Sequence, residues 1–171
     1  MVFMGIDVGE KGSICILDSK GQPVKHNDKL CVLQFGHVGS TEAAISEWIY
    51  HHNKMLDIIC SLERVMPRPS IPGKKFNVQS QFYLGENYGL IRGMLVAHKV
   101  NFVLTTPQSW QKTLGVIKRD SKGGESTSQF KQRLRELAKS MWPKLAKMIV
   151  SGNADSFLIS VALRRQYFKG K

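Results

Sequence analysis

Short apolar runs alternate with longer amphipathic segments along this chain, and this alternation limits the fold more than any other feature of the sequence. Apolar runs of about four to eight residues suit strands, whereas apolar residues spaced three and four apart suit helices. We expect strands at 2–8, 13–17, 30–35, 58–65 and 101–106, helices that begin near 41, 79, 128 and 153, and a proline-initiated helical turn at 107. The predicted order, β-β-β-α-β-α-β-α-α, indicates an α/β fold in which helices pack on a mixed sheet and the first strand is central.

The size and composition of the chain indicate one globular domain, residues 1–171. With 171 residues and 42% hydrophobic content, the chain can build one sizeable core. No run reaches the roughly 18 apolar residues of a membrane span, and no charged-then-apolar leader opens the sequence. Cys15, Cys31 and Cys60 lie in apolar runs without CxxC spacing, so we expect reduced core thiols and neither a disulfide scaffold nor a zinc site. We therefore expect an intracellular, cytoplasmic protein with no membrane partner.

The charge is distributed very unevenly along the chain. Residues 1–63 carry 5 basic and 8 acidic side chains, whereas residues 64–171 carry 20 basic and 5 acidic ones. A globular domain with one strongly basic side is typical of nucleic-acid-binding proteins, because contacts of basic side chains with phosphates release condensed counterions. A solvated surface, or attraction to anionic lipid, is the alternative that charge alone leaves open.

Three of the few acidic residues stand where the predicted fold can bring them together. Asp7 lies near the end of the first strand between Gly5 and Gly9, and the two glycines leave space around the carboxylate. Glu63 lies near the end of the 58–65 run, and Asp155 lies in the first turn of the last helix. If the two strands are neighbours, Asp7 and Glu63 meet at one edge of the sheet, within reach of that helix.

Three carboxylates in one place predict a metal site. Such groups repel one another and lose hydration unless a cation joins them. Oxygen-only ligands select Mg²⁺, with Mn²⁺ expected to substitute, and two such ions are the usual machinery for hydrolysis of a phosphodiester. The acids in turns and on polar helix faces are expected to be solvated instead; these are Asp18, Asp28, Glu42, Glu47 and Asp57.

Three glycines of the second helix, Gly85, Gly89 and Gly93, recur every four residues and share one face. Each glycine costs a helix roughly 1 kcal/mol relative to alanine. Their spacing therefore predicts close approach by another backbone, either within the domain or across the seam of a dimer.

Five segments of the chain carry a family resemblance. They are 4–9 (MGIDVG), 62–65 (LERV), 84–93 (LGENYGLIRG), 106–112 (TPQSWQK) and 154–160 (ADSFLIS). In order and spacing they resemble RuvC-type Holliday junction resolvases of the RNase H-like superfamily, over nearly the whole chain. The resemblance implies an RNase H-like mixed five-stranded sheet with helices on both faces.

The resemblance also implies an activity and a set of partners. Asp7, Glu63 and Asp155 would hold two divalent ions that activate a water to nick four-way, branched DNA symmetrically in recombination and repair. A homodimer is implied, because a four-way junction has two-fold symmetry. The basic loop 64–76 corresponds to the junction-contacting segment of the family, with Phe76 as its aromatic wedge. We expect the DNA-binding side chains to be Lys11, Arg64, Arg68, Lys74, Lys75, Phe76, Lys112, Lys118, Arg119 and Lys122.

The sequence departs from the family pattern at one metal ligand. Resolvases usually carry a fourth ligand, Asp or His, a few residues before the last acid. Here the residues before Asp155 are neutral, and Ser151 and Asn153 are the nearest oxygen donors that could serve as auxiliary ligands. The five histidines do not supply the ligand by position, and adjacent His51 and His52 are expected to point apart.

Three other functions remain open at this stage. The departure leaves open a catalytically weak or inactive RNase H-like nucleic-acid-binding module. A nuclease for RNA–DNA hybrids would use the same metal site. An actin-like or sugar-kinase-like ATPase opens with a similar Gly-Ile-Asp-x-Gly hairpin, but it needs a duplicated second half, and no second glycine-rich phosphate motif is present.

Overall fold

The computed structural model describes residues 1–9, 11–35, 41–66, 77–118 and 124–170. Five strands form one sheet in the order β5-β2-β1-β6-β7, and β3 and β4 form a separate two-stranded hairpin. The strands are β1 (Val2–Asp7), β2 (Ser13–Leu17), β3 (Lys25–His26), β4 (Lys29–Leu30), β5 (Val32–Gln34), β6 (Ile58–Glu63) and β7 (Asn101–Thr105). The helices are α1 (Glu42–Met55), α2 (Val78–Ala97), α3 (Pro107–Leu114), α4 (Thr127–Met141) and α5 (Ala154–Lys169), with a 3₁₀ turn at Pro143–Leu145.

The mixed sheet predicted from the sequence is confirmed, with β1 at its centre. β1 pairs antiparallel with β2 and parallel with β6, and β7 extends the parallel side. The third predicted strand, 30–35, is shorter than expected. Only residues 32–34 form β5, because residue 30 belongs to the small hairpin at 25–30. That hairpin turns through Asn27 and Asp28, whose φ values of 48° and 60° are left-handed.

Helices cover both faces of the sheet, as expected. Alternate β1 side chains, such as Met4 and Ile6, point into a core shared with α1 and α2. Cys15 and Leu17 of β2 point to the opposite face, where α4 and α5 form a second core. This alternation follows from the two-residue repeat of a strand. No helix of the described ranges is both long enough and apolar enough to cross a membrane.

Local signals explain where α3 begins and ends, and α3 positions a key tryptophan. Thr106 caps the helix by accepting a hydrogen bond from the Ser109 backbone N–H at 3.2 Å, and Pro107 occupies its first turn. Proline suits that position because it lacks an N–H that would have no partner there. Gly115 ends the helix in the left-handed conformation, with φ of 73°.

No described residue of the chain packs on the glycine face of α2. Gly85, Gly89 and Gly93 are exposed, and a Cβ built on any of them would meet nothing within 4 Å. Of the two expected contacts, packing inside the domain is therefore not found among the described residues. The core contacts of α2 come from its other side, through Ile91, Met94 and Leu95.

Candidate active site

Asp7 and Glu63 lie side by side at one edge of the sheet. Their strands are parallel neighbours in a register that pairs Ile6 with Leu62, and each acid is the next residue of its strand. Side chains of the same phase on paired parallel strands point to the same face. Both carboxylates therefore stand on the α5 side of the sheet, at the carboxyl ends of β1 and β6.

Asp155 reaches the same place because α5 lies directly against β1. At Gly5 a Cβ would lie 2.5 Å from the Ser160 backbone nitrogen, so a side chain there would push the helix away. At Gly9 the nearest atom to an added Cβ is 3.9 Å away, which is an ordinary contact. Of the two glycines that flank Asp7, only Gly5 must lack a side chain, because α5 packs closely against the backbone there.

Buried serines fix α5 to the sheet. The Ser13 hydroxyl of β2 donates to the Ser156 hydroxyl at 2.7 Å, and Ser160 donates to the Cys15 carbonyl at 3.0 Å. All three serines are completely buried. A buried hydroxyl without a partner costs about 1–3 kcal/mol, so these bonds favour one placement of the helix. They hold the first turn of α5, and with it Asp155, beside β1.

Trp110 is a site residue that the sequence analysis did not assign. Its indole Nε1–H donates to Glu63 Oε1 at 2.8 Å, and the side chain is 2% exposed. The bond fixes the rotamer of Glu63 and leaves its second carboxylate oxygen free of Trp110. A large aromatic residue in an otherwise polar eight-residue helix was the available signal.

Burial raises the pKa of all three acids, and the charge of Asp7 adds to the rise at the other two. Burial raises the pKa of Glu63 to about 8, the Asp7 charge adds to the rise, and the Trp110 hydrogen bond opposes it. Burial and then the Asp7 charge raise the pKa of Asp155 to about 6. Burial also raises the pKa of Asp7, against the opposing hydrogen bond from the Gly9 N–H at 3.3 Å. The cluster therefore carries like charges in a poorly hydrated place.

The chemistry of these donors fits a hard divalent ion. Asp7, Glu63 and Asp155 line one cavity of about 450 Å³ and offer only oxygen atoms, the ligands of Mg²⁺ and Mn²⁺. Within the described ranges, no three His, Cys, Asp or Glu side chains already stand close enough to hold an ion. A cation bound there would compensate the buried negative charge of the three carboxylates.

Lys131 of α4 also faces the carboxylates. Helical periodicity assigns Lys131 to the outer, solvated side of α4, and the residue is indeed exposed. It nevertheless lines the carboxylate cavity, and its charge lowers the pKa of Asp7 and of Asp155. At Lys131, the outer side of α4 therefore forms part of the wall of the carboxylate cavity.

Four of the ten expected DNA-binding residues are described, and all four are exposed. Arg64 lines the carboxylate cavity, and the Lys118 ammonium donates to the Thr127 hydroxyl, which lines that cavity too, at 3.1 Å. Lys11 lies in the turn after β1, and Lys112 lies in the last turn of α3. The other expected contacts lie outside the described residues; they are Arg68, Lys74, Lys75, Phe76, Arg119 and Lys122.

The two expected auxiliary ligands point to other partners. Asn153 is buried, its Oδ1 accepts from the Val150 N–H at 2.9 Å, and its Nδ2 donates to the Met148 carbonyl at 2.9 Å. The Ser151 hydroxyl accepts from Arg135 at 3.3 Å and lines a different cavity, which shares Thr127 and Lys131 with the carboxylate cavity. Neither belongs to the described lining of the carboxylate cavity.

Three histidines, His26, His51 and His52, lie together and are not among the described residues that line the carboxylate cavity. The rings of His51 and His52 are 5.7 Å apart, and both lie near His26 of the small hairpin. The expectation that His51 and His52 point apart is therefore wrong. The ring of His52 also stacks on Trp48 at 3.9 Å, so this group joins the hairpin to α1.

This sheet, with helices on both faces and acids at the ends of its central parallel strands, is an RNase H-like fold of the RuvC type. The structure of Thermus thermophilus RuvC in complex with Holliday junction substrate matches with a TM-score of 0.63 and 13% identity, covering 99% of this chain and 97% of that one. A second Thermus thermophilus RuvC structure matches with a TM-score of 0.54 and 12% identity, at the same coverage. No family model and no curated protein matches the sequence. The resemblance predicted from the five segments is thus confirmed at the level of the fold.

Proposed function

We propose that this chain is a Holliday junction resolvase, a metal-dependent endonuclease that nicks four-way DNA symmetrically. The observation that carries the proposal is the meeting of Asp7, Glu63 and Asp155 in one cavity, beside Arg64 and Lys131. The similarity to RuvC, which has been seen in complex with Holliday junction substrate, supports the choice of branched DNA.

The chain's own residues prepare the site for phosphodiester hydrolysis. Two divalent ions, when bound, would supply an activated water and stabilise the charge on the leaving oxygen. Asp7, Glu63 and Asp155 would hold them, and Trp110 fixes Glu63 by its bond to Oε1. Arg64 and Lys131, on the wall of the cavity, would attract and orient the phosphate that is cut.

A direct assay tests this function. The protein is incubated with a synthetic four-way junction, a linear duplex and an RNA–DNA hybrid, each with Mg²⁺ and with Mn²⁺. We expect paired nicks in the junction and little cutting of the duplex. Cutting of the hybrid alone would replace the proposal by a hybrid nuclease.

A binding module without catalysis is the second candidate, and one observation favours it. The side chains of Ser151 and Asn153, which were to stand in for the fourth ligand, are engaged elsewhere. Tight junction binding without cutting under both metal ions would establish this candidate. Cutting by the metal-loaded protein would exclude it.

Junction binding is expected to weaken steeply with salt. Residues 64–171 carry 20 basic and 5 acidic side chains, so several phosphates should be neutralised in the complex. Each phosphate contact contributes about −0.9 to the slope of log K against log salt concentration. Fluorescence anisotropy of a labelled junction in a potassium chloride series measures that slope. A slope near zero would contradict an electrostatic DNA interface.

We also propose a homodimer, with the glycine face of α2 as its seam. Val78, Phe82 and Val96 share this face with the glycines and are 69%, 66% and 62% exposed. An isologous contact through one helix face would place two active sites about a two-fold axis, as paired nicks require. The smooth glycine surface would allow two such helices to approach closely.

The Gly89→Leu substitution is expected to convert the dimer to monomer. A Cβ at this position meets no atom of the described residues within 4 Å, and leucine favours the helix by up to about 1 kcal/mol, so the monomer should keep its fold. Sedimentation equilibrium of the two proteins compares their masses. Ala43→Leu, at an exposed position of α1, is the control and should leave the dimer unchanged. A wild-type monomer, or a variant that still dimerises fully, would contradict this seam.

We propose an intracellular, cytoplasmic setting for this reaction. The substrate would be DNA, and the three cysteines are unpaired and buried. Reduced thiols of this kind are typical of proteins in reducing compartments.

A further inference from the structure

A second cavity adjoins the carboxylate cavity along the first turns of α2. It measures about 800 Å³, and Leu84 and Lys131 belong to the walls of both cavities. Its other described lining residues are Asn77, Gln79, Ser80, Gln81, Tyr83 and Asn87. A DNA strand whose phosphate lies at the carboxylates would therefore have this cavity beside it.

Two carboxamides in this cavity have no hydrogen-bond partner among the described residues. Asn77 is engaged as the cap of α2, where its Oδ1 accepts from the Ser80 N–H at 3.0 Å, and Gln79 donates to the Tyr83 hydroxyl at 3.2 Å. Gln81 and Asn87 make no such bond, although both are half-buried. Each offers a donating NH2 group and an accepting carbonyl oxygen to a molecule that enters the cavity.

The described lining of this cavity is rich in carboxamides and holds no cluster of cations. The described lining contains no acidic side chain, and Lys131, which it shares with the carboxylate cavity, is its one cation. Phosphates are held chiefly by clustered Lys and Arg, whereas Asn and Gln pair with base edges, best with N6 and N7 of adenine. The ring of Tyr83 is 52% exposed and offers a stacking surface for a base.

We propose that this cavity binds a nucleobase, preferably adenine, of the strand that is cut, with Gln81 and Asn87 reading its edge. The chain would then cut with a preference for adenine at one fixed position relative to the scissile phosphate. This inference rests on the proposed resolvase function and adds a specificity site to it.

The test uses a library of four-way junctions whose nucleotides around the crossover are randomised. The full chain is incubated with the library and Mn²⁺, and the cut strands are sequenced. We expect adenine to be enriched about tenfold or more at one position, and Gln81→Ala and Asn87→Ala to remove most of that enrichment. Asn87→Asp keeps the size of the side chain but only accepts, so the preference should move toward cytosine, whose N4 donates.

Gln22→Ala, at an exposed position outside both cavities, is the matched control and should keep the adenine preference. The ratios of the four bases among the cut strands of one library separate base preference from a general loss of cutting rate. Circular dichroism tests whether the variants fold. Junctions cut without base preference, or with a preference that Gln81→Ala and Asn87→Ala leave unchanged, would overturn this inference and leave the resolvase standing. A protein that cuts no junction would overturn both.

Discussion

The Asp7→Asn protein should bind four-way junctions about as tightly as the wild type and cut them at less than about one thousandth of the wild-type rate. The charge of Asp7 raises the pKa of both Glu63 and Asp155, so Asp7 acts on both of the other acids. Asparagine keeps the shape but removes the fixed anion that would place an ion between them. Because the proposed DNA contacts come chiefly from cationic side chains, loss of one carboxylate should not weaken binding and can strengthen it.

Cleavage of a labelled junction under single-turnover conditions gives the rate, and gel shift in a chelator gives the affinity. Glu47→Gln, on the exposed side of α1, is the matched control and should cut at the wild-type rate. Full activity of Asp7→Asn, or activity of the wild type in excess chelator, would refute a metal site built on these acids. Loss of binding together with cutting would point to misfolding instead.

The free energy of unfolding of the metal-free protein should fall as the pH rises, and Glu63→Gln should remove the part of that fall that Glu63 causes. Glu63 has a pKa of about 8 in the folded chain against an ordinary value of 4.5. The folded state therefore keeps a proton that the unfolded state releases above its own pKa. The stabilising effect of that proton is complete below about pH 4.5 and is lost as the pH rises through about 8.

The expected size follows from the size of the shift. One pKa unit corresponds to about 1.4 kcal/mol, so at pH 9 Glu63→Gln should exceed the wild type in unfolding free energy by on the order of a few kcal/mol. Urea titrations of both proteins from pH 5 to pH 9 measure the difference, and the glutamine can still accept the Trp110 hydrogen bond. The difference in unfolding free energy between Glu47→Gln and the wild type should not rise with pH. A difference between Glu63→Gln and wild type that is flat with pH would contradict a desolvated acid cluster.

Divalent ions should reverse the loss in the wild type. A ligand that binds only the folded state stabilises it by RT ln(1 + [L]/Kd). Millimolar Mn²⁺ at pH 8 is therefore expected to raise the melting temperature of the wild type and to have a much smaller effect on Glu63→Gln. Equal shifts in both proteins would show that the ion binds elsewhere.

The fold could be read from the sequence because its signals are local. Each of these signals acts over only a few residues; examples are the apolar run 58–63, the cap at Thr106 and the proline after it. The elements that they predict lie in the structure close to their predicted positions. The small hairpin at 25–30 was missed because two-residue strands leave no repeating pattern, and its turn uses non-glycine residues with positive φ.

The sequence by itself determined which acids lie at the carboxyl ends of the central strands. The end of each apolar run marks the end of its strand, and Asp7 and Glu63 lie there. What only the tertiary structure decided is what faces them. Periodicity identifies the outer side of α4 but cannot tell whether Lys131 meets water or a cleft, since that depends on how α4 lies across the sheet. The bond from Trp110 to Glu63 likewise joins residues 47 positions apart. Such contacts depend on packing between distant elements, which no local pattern records.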